Sequence, residues 1–168
     1  MALNKNTLKQ NLIDNFTDIR NNVKSKEASA DGFAQAIVDY SSDAVLPAAS
    51  NSSITTAQFG LPALKSGILA SYTAQDATMG LVSTAIVAYV LASFTSFVNT
   101  ASASSGIGVS TMTVPPIFIP SMAVGMGGGS IEDVCDSLAT VIDLAYGTIL
   151  FIGAATVASA AIAVPAPG

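Results

Sequence analysis

Two adjoining stretches of the chain carry residues whose types and spacing could do chemistry. Glu132, Asp133, Asp136 and Asp143 place four carboxylates in one predicted helix, with Asp136 and Asp143 seven apart and so on roughly one face. Cys135 stands among them. GMGGGS, residues 125–130, precedes the same helix and has the outline of a phosphate cradle. The carboxylate spacing matches no calcium or magnesium ligand loop. Helix-dipole compensation explains the first three acids. Asp143 differs, because it lies inside an apolar run, and it marks either a polar interface or a functional interior position. A helix N-terminus would activate Cys135, but the surrounding acids oppose this, so the thiol reads as buried and inert. The glycine run ends in no Gly-Lys-Ser/Thr, since no lysine follows Lys65. It reads as a linker.

Other chemistry is excluded by residue type. The chain has no His, which removes Ser-His-Asp and Cys-His nucleophile pairs and all imidazole metal sites. No Ser stands three residues ahead of a Lys, so the Ser-x-x-Lys arrangement is missing too. A single Cys makes no intrachain disulfide. The expectation is a protein that is not an enzyme, with no cofactor, no metal site and no catalytic residues.

The elements that would position these groups follow from periodicity. Asn4, Asn6 and Thr7 are N-cap candidates for a first helix whose stripe is Leu8, Leu12, Ile13, Phe16, Ile19 and Val23, with Lys, Asn and Asp on the other face. KSKEAS is a polar turn, and a second helix from near Ser29 sets Phe33, Ala36, Ile37 and Tyr40 on one face until Pro47 ends it. A polar loop, AASNSSITTAQFG, leads to a short helix near Pro62 with Leu64, Ile68, Leu69 and Tyr72 as its apolar side. A long apolar helix spans about 77–99. VSTMTV alternates as a strand, PPIFIP makes an extended strap, and Gly127–Gly129 form a joint. The last helix starts at Ser130, with Asp133 completing a variant capping box, and runs to Val164. The fold class is mainly α: an N-terminal helical hairpin plus two long apolar helices linked by an extended β/Pro-rich strap. Three segments result: an amphipathic hairpin (1–47), a polar loop with a short helix (48–75), and an apolar Ala/Ser/Gly-rich assembly region (76–168). Leu12, Phe16, Ile19, Phe33, Ile37 and Tyr40 are the candidate interface residues, since two short amphipathic helices must dock on the rest of the chain or on a neighbour.

Charge is distributed unevenly. All six basic residues precede position 66, and neither Ala77–Ile131 nor Leu144–Gly168 contains a charged residue. A net charge of −5 argues against nucleic acid as the main partner. MALNKNTLKQNL has no apolar core of a secretory signal. The uncharged regions need cover from lipid, from other copies of the chain or from partner subunits. Residues 80–98 and 145–163 are long and apolar enough for two transmembrane helices, and a holin-like or virion-membrane protein is one reading. Against it, neither segment is flanked by Lys or Arg, Tyr89 sits mid-span, and Ser and Thr recur along residues 80–98. Small-residue helices of this kind suit a homo-oligomer, which is the preferred reading.

MALNKNTLKQNLIDNF followed by ASADGFAQAIVDYSSDAV resembles the N-terminal helical hairpin of small virion structural proteins from the tail or neck modules of tailed bacteriophages. The shared features are an Ala-Leu-x-Lys-x-x-Leu opening and a Phe-Ala-x-x-Ile-x-x-Tyr second helix, over about a quarter of the chain. The resemblance implies a subunit at repeated positions in a tail, neck or baseplate, with other virion proteins as neighbours. It implies a virion location after assembly in the host cytoplasm, and no catalytic residues.

Overall fold

The computed structural model describes residues 3–21, 23–42, 45–46, 52–53, 60–75, 80–105, 108–113, 129–147, 150–155 and 158–163, with side chains placed in 3–21, 23–42, 60–75, 80–92 and 129–147. The described part is mainly α, as the periodicity predicts. Pro47, the PPIFIP strap, Gly127 and Gly128 lie outside the described residues.

Helix α1 (Lys5–Arg20) starts where Asn4 Oδ1 accepts the backbone N–H groups of Asn6 and Thr7 at 3.1 and 3.2 Å. Leu8 and Leu12 are buried and Ile13 and Phe16 pack beside them, as the stripe predicts. Two positions depart from it. Asn15 is 3% exposed, whereas it was expected among the polar face. Val23 is 71% exposed, because α1 ends at Arg20 and the stripe ends with it. Spacing accounts for Asn15: positions 8, 12 and 15 fall one, then two, turns apart on the same face.

Helix α2 (Lys26–Ser42) begins three residues before the expected Ser29. Ser25 Oγ accepts the Ala28 N–H at 3.2 Å, so the earlier serine is the cap, and the end of KSKEAS is helical rather than turn. Its buried arc is wider than the predicted face, adding Ala30, Ala34 and Val38 to Phe33, Ala36, Ile37 and Tyr40. The helix packs between α1 and α3 (Leu61–Ala74), so two faces are covered. Helix α3 carries Pro62 in its first turn, buries Leu64 and Ile68, and closes at Gln75 in the left-handed region (φ 53°).

Helix α4 (Gly80–Ser105) buries Val82, Ile86, Tyr89 and Val90 and packs on α3. Gly67 permits that approach, since a Cβ there would collide with the Ala85 methyl. Among the described residues no helix is long and apolar enough to cross a membrane. Helix α5 (Ile131–Gly147) lies against α1. Ser130 and Asp133 form the expected box: the Ser130 N–H donates to Asp133 Oδ2 (3.1 Å) and the Asp133 N–H to Ser130 Oγ (3.2 Å). In space the helices run α5–α1–α2–α3–α4.

The chain after α5 corrects one expectation. The last helix stops at Gly147 instead of running to Val164, so residues 145–163 form no single helix. Strands β4 (Leu150–Ala155) and β5 (Ala158–Ala163) pair antiparallel, and β3 (Gly108–Thr113), the predicted VSTMTV strand, pairs with β4. Alanine favours helix locally, but Gly147 and Gly153 weaken it, and pairing with the distant β3 decides the outcome. Two short strands pair antiparallel: β1 (Val45–Leu46) lies in the last residues of the arm expected to be helical up to Pro47, whereas α2 ends at Ser42, and β2 (Ser52–Ser53) lies in the region read as loop.

One buried cluster draws on all three sequence segments: Leu8, Leu12, Phe33 and Ile37 from the first, Leu64 and Ile68 from the second, and Val82, Ile86, Leu138, Ile142 and Tyr146 from the third. Ion pairs tie the same helices together at the surface. Lys9 reaches Glu132 (3.5 Å) and Asp136 (3.3 Å) across α1 and α5, and Lys65 reaches Asp31 (2.9 Å) across α3 and α2.

Candidate functional site

Asp143 and Tyr146 are three apart and share a face of α5, which meets the end of α2 at Tyr40 and Ser41. The Tyr40 hydroxyl donates to Asp143 Oδ1. Ser41 Oγ and the Tyr146 hydroxyl lie 2.6 Å apart, and Ser41 Oγ also donates to the Ile37 carbonyl oxygen at 2.7 Å. Because that serine proton goes to the carbonyl, the Tyr146 hydroxyl is the donor to Ser41. The two tyrosine rings meet edge to face, with centroids 5.2 Å apart.

Burial raises the pKa of both phenols above the ordinary tyrosine value; for Tyr40 the bond to Asp143 adds to this, and for Tyr146 the proximity of Tyr89 does. Both therefore stay protonated and act as donors, not as phenolate bases or nucleophiles. The group has the properties of a clasp: it satisfies four polar side chains at a helix–helix contact and holds α5 against α2.

The other acids of α5 have separate partners. Asp136 turns to Lys9, and Asp133 is held below the usual carboxylate range by its bonds to Ser130. Asp136 and Asp143 thus do not converge on one ligand. Among the described residues no three His, Cys, Asp or Glu side chains gather as a metal site. Cys135 is buried, and burial pushes its thiol up to about 11. Of GMGGGS, only Gly129 and Ser130 are described, and both belong to the start of α5.

Five of the six candidate interface residues lie within the chain's own packing. Leu12, Phe33, Ile37 and Tyr40 are buried, and Phe16 meets Phe33 edge to face at 5.5 Å. Ile19 is half-buried. Phe16 and Phe33 join the two arms of the hairpin, and Tyr40 joins it to α5.

Sequence reasoning missed a groove of about 260 Å³ between α1 and α2. Asn15, Gly32 and Ala36 line it together with Asp14, Gln35 and Asp39, and Lys24 closes one side. Each aspartate accepts from a glutamine one turn earlier, Gln10 to Asp14 at 2.8 Å and Gln35 to Asp39 at 2.6 Å. The repeated Gln-x-x-x-Asp spacing in both arms was the legible sign. Asn15 donates to the Ser29 carbonyl (3.0 Å) and to Ser29 Oγ (3.1 Å), fixing the depth of the groove.

Comparison of the chain with protein-family models, with curated proteins and with solved structures finds no match.

Proposed function

We propose that the chain is a non-enzymatic structural subunit of a bacteriophage virion, in a tail, neck or baseplate, and that it acts through oligomeric packing with its own copies and with other virion proteins. The observation that carries this reading is the separation of charge. Every basic residue lies in the first 65 positions, and long stretches on either side of α5 contain no charge at all. Such regions need cover, and a symmetric ring or shell supplies it. Burial of apolar area stabilises by about 25 cal/mol per Å², so an obligate interface of a few thousand Å² suffices to hold a subunit that is poorly soluble alone. The resemblance of the N-terminal hairpin to phage tail and neck proteins supports the location. That Asp143 serves a helix contact supports a packing role over a catalytic one.

An alkaline carbonate wash of membranes from cells expressing the full chain tests this. The expected result is release into the supernatant and sedimentation as a discrete multimer. Retention until detergent is added would replace the reading with the two-span, holin-like one, which the uncharged stretch at residues 80–98 favours.

A further inference from the structure

We infer that copies of this chain join head to tail, the turn between α1 and α2 of one copy seating in the α1–α2 groove of the next. This rests on the assembly reading above. The turn presents a knob. Its backbone is held by the Asn21 N–H on the Thr17 carbonyl (3.0 Å) and the Val23 N–H on the Asp18 carbonyl (2.8 Å), and it leaves Val23 71% exposed. Arg20 and Lys26 flank Val23, are exposed, and enter no ion pair among the described residues. The neighbouring charges are engaged: Lys24 pairs with Asp18 at 3.1 Å, and Glu27 is held at its own helix start by the backbone and Ser25.

The groove offers the complement. Gly32 and Ala36 supply a lining without bulk, and its volume of about 260 Å³ exceeds that of a valine side chain. Asp14 and Asp39 are exposed at its edge, and neither meets a cation among the described residues. Lys24, the one cation lining it, is paired with Asp18, so the groove stays acidic toward an incoming Arg20 or Lys26. Lys24 of the same turn borders the groove, but the chain does not seat its own knob there, since Val23 stays 71% exposed. Asp14 lies six residues before Arg20 on one rigid helix, about 9 Å along it, so the occupant comes from a second copy. Knob and groove adjoin at Lys24 but offer different residues, Arg20, Val23 and Lys26 against Asp14 and Asp39, so a one-way contact between copies is heterologous and forms a ring where its rotation closes.

Sedimentation velocity of the full chain, with far-UV circular dichroism to follow helicity, tests the contact. Chains carrying Asp14→Lys with Asp39→Lys, or Arg20→Glu with Lys26→Glu, are expected to stay helical and lose the multimer. A chain with all four substitutions is expected to regain it, because the charges again match. Val23→Asp, with the native charges intact, should raise the assembly midpoint concentration about tenfold or more. Either reversed pair assembling like the wild type, or the four-substitution chain remaining monomeric, would overturn the contact while leaving the assembly reading in place. A wild-type chain that is monomeric at every concentration would overturn both.

Discussion

Gly32 sits where a side chain would strike Asn15: a Cβ built there falls against Asn15 Oδ1, well inside van der Waals contact. Asn15 cannot easily give way, since its amide is committed to Ser29 and Lys24 Nζ lies 3.5 Å from its oxygen. Gly32→Ala would therefore have to shift a buried, hydrogen-bonded side chain. That outweighs the helix propensity gained by replacing glycine. We expect a loss of about 1–3 kcal/mol, read as a lower urea midpoint with an unchanged slope. At this scale residue type misleads for Asn15 and spacing misleads for Val23. Its polar type predicts Asn15 outside, although its position continues the Leu8–Leu12 stripe, and the stripe predicts Val23 inside, although the helix that would carry it inward stops at Arg20. Asp143 stood out in the sequence, but Tyr40, its partner, is 103 positions away and no local pattern couples the two.

Helix starts were legible wherever a side chain caps them. Asn4 and the Ser130–Asp133 box are where the sequence places them, because a short polar side chain beside its own free N–H groups needs nothing from the rest of the fold. At α2, Ser25 and Ser29 competed, and the earlier one caps while Ser29 is buried against Asn15. Ser130→Ala should remove the bonds to the Asp133 backbone and carboxylate and destabilise the protein by about 0.5–2 kcal/mol, measured as a fall in Tm. The effect should be global, because α5 packs on α1 and is clasped to α2 through Tyr146 and Asp143. The far end of α5 was not legible. Ala- and Ile-containing residues after Gly147 suit helix or strand by local preference, and only the ladder with β3, some forty positions earlier, separates the two.

For the whole molecule, the buried donors set a direction for pH. Burial holds the Cys135 thiol at about 11, above its ordinary 9.0, and raises Tyr40, Tyr72 and Tyr146 above 10.0. Lys9 is also raised, chiefly by its bond to Asp136. In each case the folded chain keeps its proton at a pH where the unfolded chain has lost it. Stability from these groups is fully present below about pH 9 and declines as pH rises through 11. Tm should therefore hold up to about pH 9 and fall beyond it, while Cys135 resists iodoacetamide until the protein unfolds. Loss of Tm on going from pH 7 to 9 would contradict this.

The sequence by itself determined what depends on near neighbours: the amphipathic hairpin, the capped helix starts, the β3 strand, and the segregation of charge. These are set by residue type and spacing within a turn or two of helix or a few residues of strand. Tertiary structure alone decided which faces meet. It merged three apparent segments into one core, took up Asp143 with Tyr40, turned Asn15 inward, exposed Val23 and ended the last helix at Gly147. The physical reason is range. Caps and stripes act over a few residues, whereas packing, buried hydrogen bonds and strand ladders join residues far apart in sequence, and each outcome there depends on the free energy of the assembled chain.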